Sequence, residues 1–375
     1  MPTDYHGNSK DALSSPPDGR GAGSTLWNRI AEALRDFPPA YFAMVMATGI
    51  VSIACHFLGY ELLAFPLFYL NILLYCILWA LTIARLILHR ERFVKDLKTH
   101  NRGAGFFTII VSTGIMGNQA VILADARQPA LILLGVGIIF WVVLIYTVFT
   151  LFTVQPEKPT LEIGINGTWL VATVATQSIS VLSGILAQEA GQARNVWLFF
   201  SLCMFLTGCM LYLLIIALIF YRFMFFELTP QSLGHPYWIN MGAVAITTLA
   251  GTTLIANSSG SPFLMSILPF TTGFTLFFWT TATWWIPLLV LLGIWRFVIH
   301  HGGFAYDPSY WSMVFPLGMY TTCTFQLARV NGLEFLMPIP RLFIFAAILA
   351  WALTFWGFVK SLRQFFRAVP TDEDL

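Results

Sequence analysis

Charge is what this sequence has least of. Only 10% of its 375 residues are Asp, Glu, Lys or Arg, where soluble domains carry about 25%. A chain so poor in charge does not read as a water-soluble domain. Cysteine is scarce and scattered: Cys55, Cys76, Cys203, Cys209 and Cys323 all fall inside apolar runs, with no CxxC pair and no Cys/His cluster. That pattern excludes a disulfide framework and a zinc site. The first twenty-five residues are rich in Gly, Ser, Pro and Asp and lack an apolar h-region, so they read as a disordered tail and not as a signal peptide. Nor is there a nucleophile with a base at readable spacing. His300-His301 has no carboxylate at metal spacing and reads as a helix end before Gly302-Gly303, while Asp125 and Asp307 lie at span ends. An enzyme is therefore not expected, and no metal, cofactor or nucleic acid is implied.

Apolar length is abundant. Hydrophobic residues make up 57% of the chain, and a helix crossing ~30 Å of hydrocarbon needs about 20 of them in succession. Ten segments qualify: Tyr41 to Phe57, Leu67 to Leu88, Gly105 to Ala124, Leu131 to Phe152, Gly167 to Ala187, Val196 to Phe220, Trp238 to Asn257, Leu276 to Val298, Tyr310 to Ala328 and Arg341 to Phe366. Between the seventh and eighth, Pro262 to Thr275 is expected to be a re-entrant or interfacial piece, because Pro269 interrupts the run. With these spans, sixteen Lys and Arg fall on the side of the N-terminal tail and four on the other. The positive-inside rule then places both termini in the cytoplasm. The expected organisation is a tail over residues 1–36, a ten-helix membrane domain over 37–367 and a short tail over 368–375.

The odd spans repeat. Each opens on an aromatic (Phe42, Phe107, Trp169, Trp238, Trp311), at intervals of 65, 62, 69 and 73 residues. Seven positions later stands a small residue: Gly49, Gly114, Thr176, Ala245 or Gly318. Seven residues are two helical turns, so each pair shares a face. Gly, Ala, Ser, Thr, Asn and Gln supply 47 of 97 residues in the odd spans and, with the second span taken only to Leu86, 25 of 116 in the even ones. Lipid-facing helices favour large aliphatic residues; small and hydroxyl residues suit close packing or a polar lumen. The expected fold is all-α: five helical hairpins, with the odd helices as an inner ring around a pore and the even helices outside.

The odd spans contain no Asp, Glu, Lys or Arg, unlike a cation path or proton pump. A solute would be held weakly, by hydroxyls, amides and helix dipoles. For any single hydroxyl, a bond to a neighbouring helix is the commoner role; the collective bias points to a polar path. The candidate lining residues are Thr48, Gly49, Ser52, Thr113, Gly114, Asn118, Thr176, Gln177, Thr247, Thr248, Gly318 and Thr322. In the ninth span Pro316 predicts a kink, and Phe315 directly before it is the candidate gate. Arg85, Arg222 and Arg296 sit at cytoplasmic span ends, where they either concentrate anions at the mouth or snorkel to headgroups.

The run Phe37-Pro-Pro-Ala-Tyr-Phe-Ala-Met-Val-Met-Ala-Thr-Gly-Ile-Val-Ser52 and the motif Trp311-Ser-Met-Val-Phe-Pro316 resemble the tellurite-resistance/dicarboxylate transporter family. That family includes plant slow-type anion channels, fungal malate permeases and sulfite efflux pumps. The resemblance covers about Phe37 to Phe366. It implies a homotrimer, each protomer with its own pore of kinked inner helices, plugged by a Phe that matches Phe315. The short tails resemble a bacterial member, which implies a bacterial inner (plasma) membrane and argues against kinase-controlled gating. Conduction of small inorganic or organic anions is the leading expectation. The competing one is a secondary transporter of a C4-dicarboxylate such as malate, or an exporter of sulfite or tellurite-related anions. Coupling would need a titratable group, and His56 is the only His inside the odd spans.

Overall fold

A computed structural model describes residues 26–230, 232–299 and 306–367. Of the tails expected over residues 1–36 and 368–375, residues 1–25 and 368–375 lie outside the described residues, as does the turn at His300–Gly303, while residues 26–35 of the expected N-terminal tail are helical. Among the described residues every regular element is helical. Ten helices are 15 residues or longer: α1 (Ala43–Phe57), α2 (Glu61–Leu88), α3 (Phe107–Ala124), α4 (Arg127–Val154), α5 (Val171–Leu186), α6 (Arg194–Phe225), α7 (Ile239–Ala256), α8 (Leu268–Ile294), α9 (Trp311–Val330) and α10 (Pro338–Arg367). A shorter helix, Leu26–Arg35, precedes them.

Nine helical stretches among the described residues are long and apolar enough to cross a bilayer. The one of the ten that falls short is α9. Its 20 residues would span ~30 Å, but Pro316, Gly318, Thr321, Thr322, Thr324 and Gln326 lower its hydropathy. It also runs through Pro316 as one helix. The expected interfacial piece at Pro262–Thr275 needs correction. Only Pro262–Ser266 is separate, and α8 begins at Leu268. Pro269 lies in the first turn of α8, where the missing N–H has no intrahelical partner to lose.

The helices fall into two kinds. Buried residues make up 78–94% of the apolar stretch in α1, α3, α5 and α7, but only 17–44% in the even-numbered helices. Each odd helix packs on the next, α9 returns to α1, and each even helix lies on the odd helix before it. A glycine sits at all five odd–odd contacts: Gly49, Gly114, Gly184, Gly242 and Gly318. At Gly49 a Cβ would stand 2.4 Å from Ile115 Cγ2, so the α1 and α3 backbones approach as closely as they do only without one. A 3₁₀ turn leads into every odd helix: Pro39–Phe42, Ala104–Phe106, Gly167–Leu170, His235–Trp238 and Pro308–Tyr310. The repeated aromatics lie in these turns or on the residue after them.

Hydrogen bonds join even helices to the odd helix that follows. Tyr75 shares a proton with Thr113 at 2.8 Å, and Trp141 Nε1 donates to Thr176 at 2.9 Å. Trp279 donates to Thr324 at 3.0 Å. The same device closes the chain on itself, because Trp351 of α10 donates to Thr48 of α1 at 3.0 Å.

Two of the three arginines considered for the mouth are buried structural clasps. Arg85 is 2% exposed, pairs with Asp96 at 2.6 Å and bonds the Arg35 carbonyl. Arg222 donates to the Glu162 carbonyl and to Tyr237, and Arg296 to the Leu233 carbonyl. Arg85 and Arg222 are buried and hold connecting segments against helix ends, so neither stands free at a mouth; Arg296 is partly exposed and keeps its charge beside the Leu233 carbonyl.

Candidate functional site: two cavities on one axis

Two cavities lie among α1, α3, α5, α7 and α9, one near each end. The first, of about 180 Å3, is bounded by Ala43 and Met46 of α1, Thr108 of α3, Val171 of α5, Ile239 of α7 and Ser312 and Phe315 of α9. These are the N-terminal ends of the five helices, and we call this end the tail face. The second, of about 100 Å3, is bounded by Ile50, Ile53 and Phe57 of α1, Asn118 and Ile122 of α3, Val181 and Ile185 of α5, Leu249 and Thr252 of α7, and Thr322 and Gln326 of α9. It lies toward the C-terminal, far-face ends.

On α1 the step from Met46 to Ile50 and on α9 the step from Phe315 to Thr322 cross the closed section between them. At 1.5 Å per residue these are ~6 Å and ~10 Å. Phe315 is 1% exposed and lines the tail-face cavity. Pro316 packs against α7 at Gly242, where a Cβ would stand 2.7 Å from its Cγ. The helical carbonyl that Pro316 cannot serve is that of Ser312, itself a cavity-lining residue, so water can reach it there. Both proline and backbone are rigid. Gly242→Ala is therefore expected to cost about 1–3 kcal/mol by overpacking, read as a melting midpoint a few degrees lower in detergent.

Of the twelve expected lining residues, Asn118 and Thr322 border the far-face cavity. Asn118 is 3% exposed, and its Oδ1 has no protein partner among the described residues. The others are buried at helix contacts. Thr48, Thr113 and Thr176 bond the aromatic groups described above, Ser52 donates to the Ala64 carbonyl and Gln177 to the Phe205 carbonyl. Thr247 and Thr248 bond back to Ala243 and Val244 of their own helix. Gly49, Gly114 and Gly318 serve the close contacts. Lining residues outside those twelve include Gln326 and Asn257 of the far-face cavity and Asp307 and Ser309 of the tail-face one. The signal for Gln326 was present in its i+4 spacing from Thr322; for Asp307, ahead of the helix, there was none. His56 lies at the far end of α1, 3.0 Å from Glu61.

Electrostatically, the tail-face cavity receives five helix N-termini, each equivalent to about +0.5 charge. Beside it, burial pushes the Tyr306 phenol up from its ordinary value, so it stays neutral while taking a hydrogen bond from Trp311 at 3.3 Å. Among the described residues no three His, Cys, Asp or Glu side chains form a metal-binding group.

An all-helical bundle with so many apolar helices, most of the even ones exposed, is a multi-pass membrane protein. A family model described as voltage-dependent anion channel, SLAC1, matches residues 36–359, and the chain belongs to that family. It is 24% identical over 312 residues to an uncharacterized transporter of Methanocaldococcus jannaschii, covering 80% of this chain and 87% of that one. An uncharacterized membrane protein of Mycobacterium tuberculosis is 34% identical over 152 residues, 40% of this chain and 77% of its own length. A sulfite efflux pump of Trichophyton rubrum is 22% identical over 357 residues, 86% of this chain and 90% of the relative.

Proposed function

We propose that this protein conducts small anions along the axis shared by the two cavities, with the five odd helices as a ring around the path and Phe315 as its closure. One observation carries the reading: each cavity is bounded by all five odd helices, and the bulky side chain of Phe315 stands at the edge of the closed section between them. Sign selectivity follows from helix polarity, since the positive ends of five helices meet at the tail-face cavity. The wall offers hydroxyls, amides and apolar groups, which hold an anion weakly enough to release it. The same proposal includes ten crossings, both termini in the cytoplasm, a bacterial plasma membrane and a homotrimer; charge placement supports the orientation, and resemblance alone supports the trimer.

The test is electrical. Purified protein in a planar bilayer, bathed in turn by chloride, nitrate and sulfite, should carry currents that reverse at the anion's Nernst potential and ignore an imposed pH gradient. A second reading, sulfite export coupled to another gradient, is favoured by the similarity to sulfite efflux pumps. Electrically silent sulfite movement that follows the pH gradient would establish that reading and reject the channel.

A further inference from the structure

The tail-face cavity has one charged residue among those that line it, and the charge has the sign opposite to that expected. Asp307 stands there with Pro308, Ser309, Ser312 and Phe315, is exposed, and enters no ion pair among the described residues. Its Oδ1 accepts a hydrogen bond from the Ser309 backbone N–H at 2.7 Å, which caps the 3₁₀ turn leading into α9. The cap fixes the carboxylate at the rim, two turns before Phe315. Arg296, anchored on the Leu233 carbonyl, is not part of the lining. An anion entering from the tail face therefore meets five partial positive charges spread around the ring, one full negative charge in the wall, and behind the wall the Arg296 charge, which together with Asp307 acts on His235 and Tyr310.

We propose that Asp307 is a valence filter: it selects monoanions over dianions at the tail-face mouth. The inference rests on the conduction reading above. The energy of an ion in the field of a fixed charge is proportional to the ion's own charge, so a dianion is repelled with twice the energy of a monoanion. In Boltzmann terms, whatever factor Asp307 imposes on a monoanion, it imposes squared on a dianion. Wet surroundings and salt keep that factor small. It is a filter, not a block. Oxyanions that exist in singly and doubly charged forms near neutral pH would then pass chiefly in the singly charged one.

Asp307→Asn tests this without disturbing the fold, because an Asn side-chain oxygen accepts the Ser309 N–H equally well. Nitrate and sulfate fluxes are measured in proteoliposomes for wild type and Asp307→Asn, each with and without Phe315→Ala, at low and high ionic strength. Neutralisation is expected to raise nitrate flux about twofold and sulfate flux about fourfold at low salt, with both gains shrinking in 1 M salt. Asp307→Glu should retain the wild-type nitrate-to-sulfate ratio. Equal gains for the two ions, or none, would overturn the filter while leaving conduction intact. Absence of flux for every anion in every variant would overturn conduction itself and the filter with it.

Discussion

Phe315→Ala is expected to raise anion conductance by an order of magnitude or more. The side chain is almost fully buried at the border of the tail-face cavity, and the closed section beyond it is only ~6–10 Å long along α1 and α9. Removing an aromatic ring opens space at the inner edge of the tail-face cavity, and none of the five odd spans carries a charged side chain there to replace it as a barrier. Because Pro316 is locked against Gly242, the α9 backbone has little freedom to collapse into the gap, so the cavity should persist. Single-channel recording compares the variant with wild type. An unchanged rate in protein with an unchanged melting midpoint would remove Phe315 from the path.

The second large effect concerns stability. Asp96→Ala should leave Arg85 as an unpaired, buried guanidinium at 2% exposure, a situation that costs about 3–5 kcal/mol. Arg102, which also reaches Asp96 at 3.1 Å, loses its partner too, but it is half-exposed and regains water. A melting midpoint lower by roughly 5–10 °C is expected, with Arg85→Met in the same chain recovering most of it. Recovery separates an uncompensated charge from simple loss of packing. If the double variant melts no higher than Asp96→Ala, the pair is not what holds this segment.

The division between small, polar odd segments and aliphatic even ones was legible because burial and lipid exposure demand different side chains, and it reappears as the burial contrast. Helix ends were less legible. Pro269 reads as a breaker until one knows that it occupies a first turn, and Pro316 sits inside a helix that continues past it. The candidate lining residues show where sequence reasoning stops. A hydroxyl's spacing tells which helix carries it, while its partner is set by tertiary packing. Thr48 finds Trp351, 303 residues away; Thr176 finds Trp141 on the preceding even helix. The surroundings of Arg85 and Arg222 were hidden for the same reason. A cation at a helix end looks alike whether it faces water or, like Arg222, a buried carbonyl and a tyrosine hydroxyl.

The hydrogen bond from Trp351 to Thr48 means that the order of the polypeptide has a seam but the packing does not. α10 meets α1 through the same kind of aromatic-to-threonine contact that joins helices adjacent in sequence, and α9 closes on α1 as α1 closes on α3. Because successive long helices alternate in direction, the start of α1 and the end of α10 lie on the same face. A gene encoding this architecture could therefore be circularly permuted, its old ends tethered and new ones opened at a loop such as that between α3 and α4, without changing a single helix neighbour. Where translation begins is a historical fact about such a molecule more than a structural one.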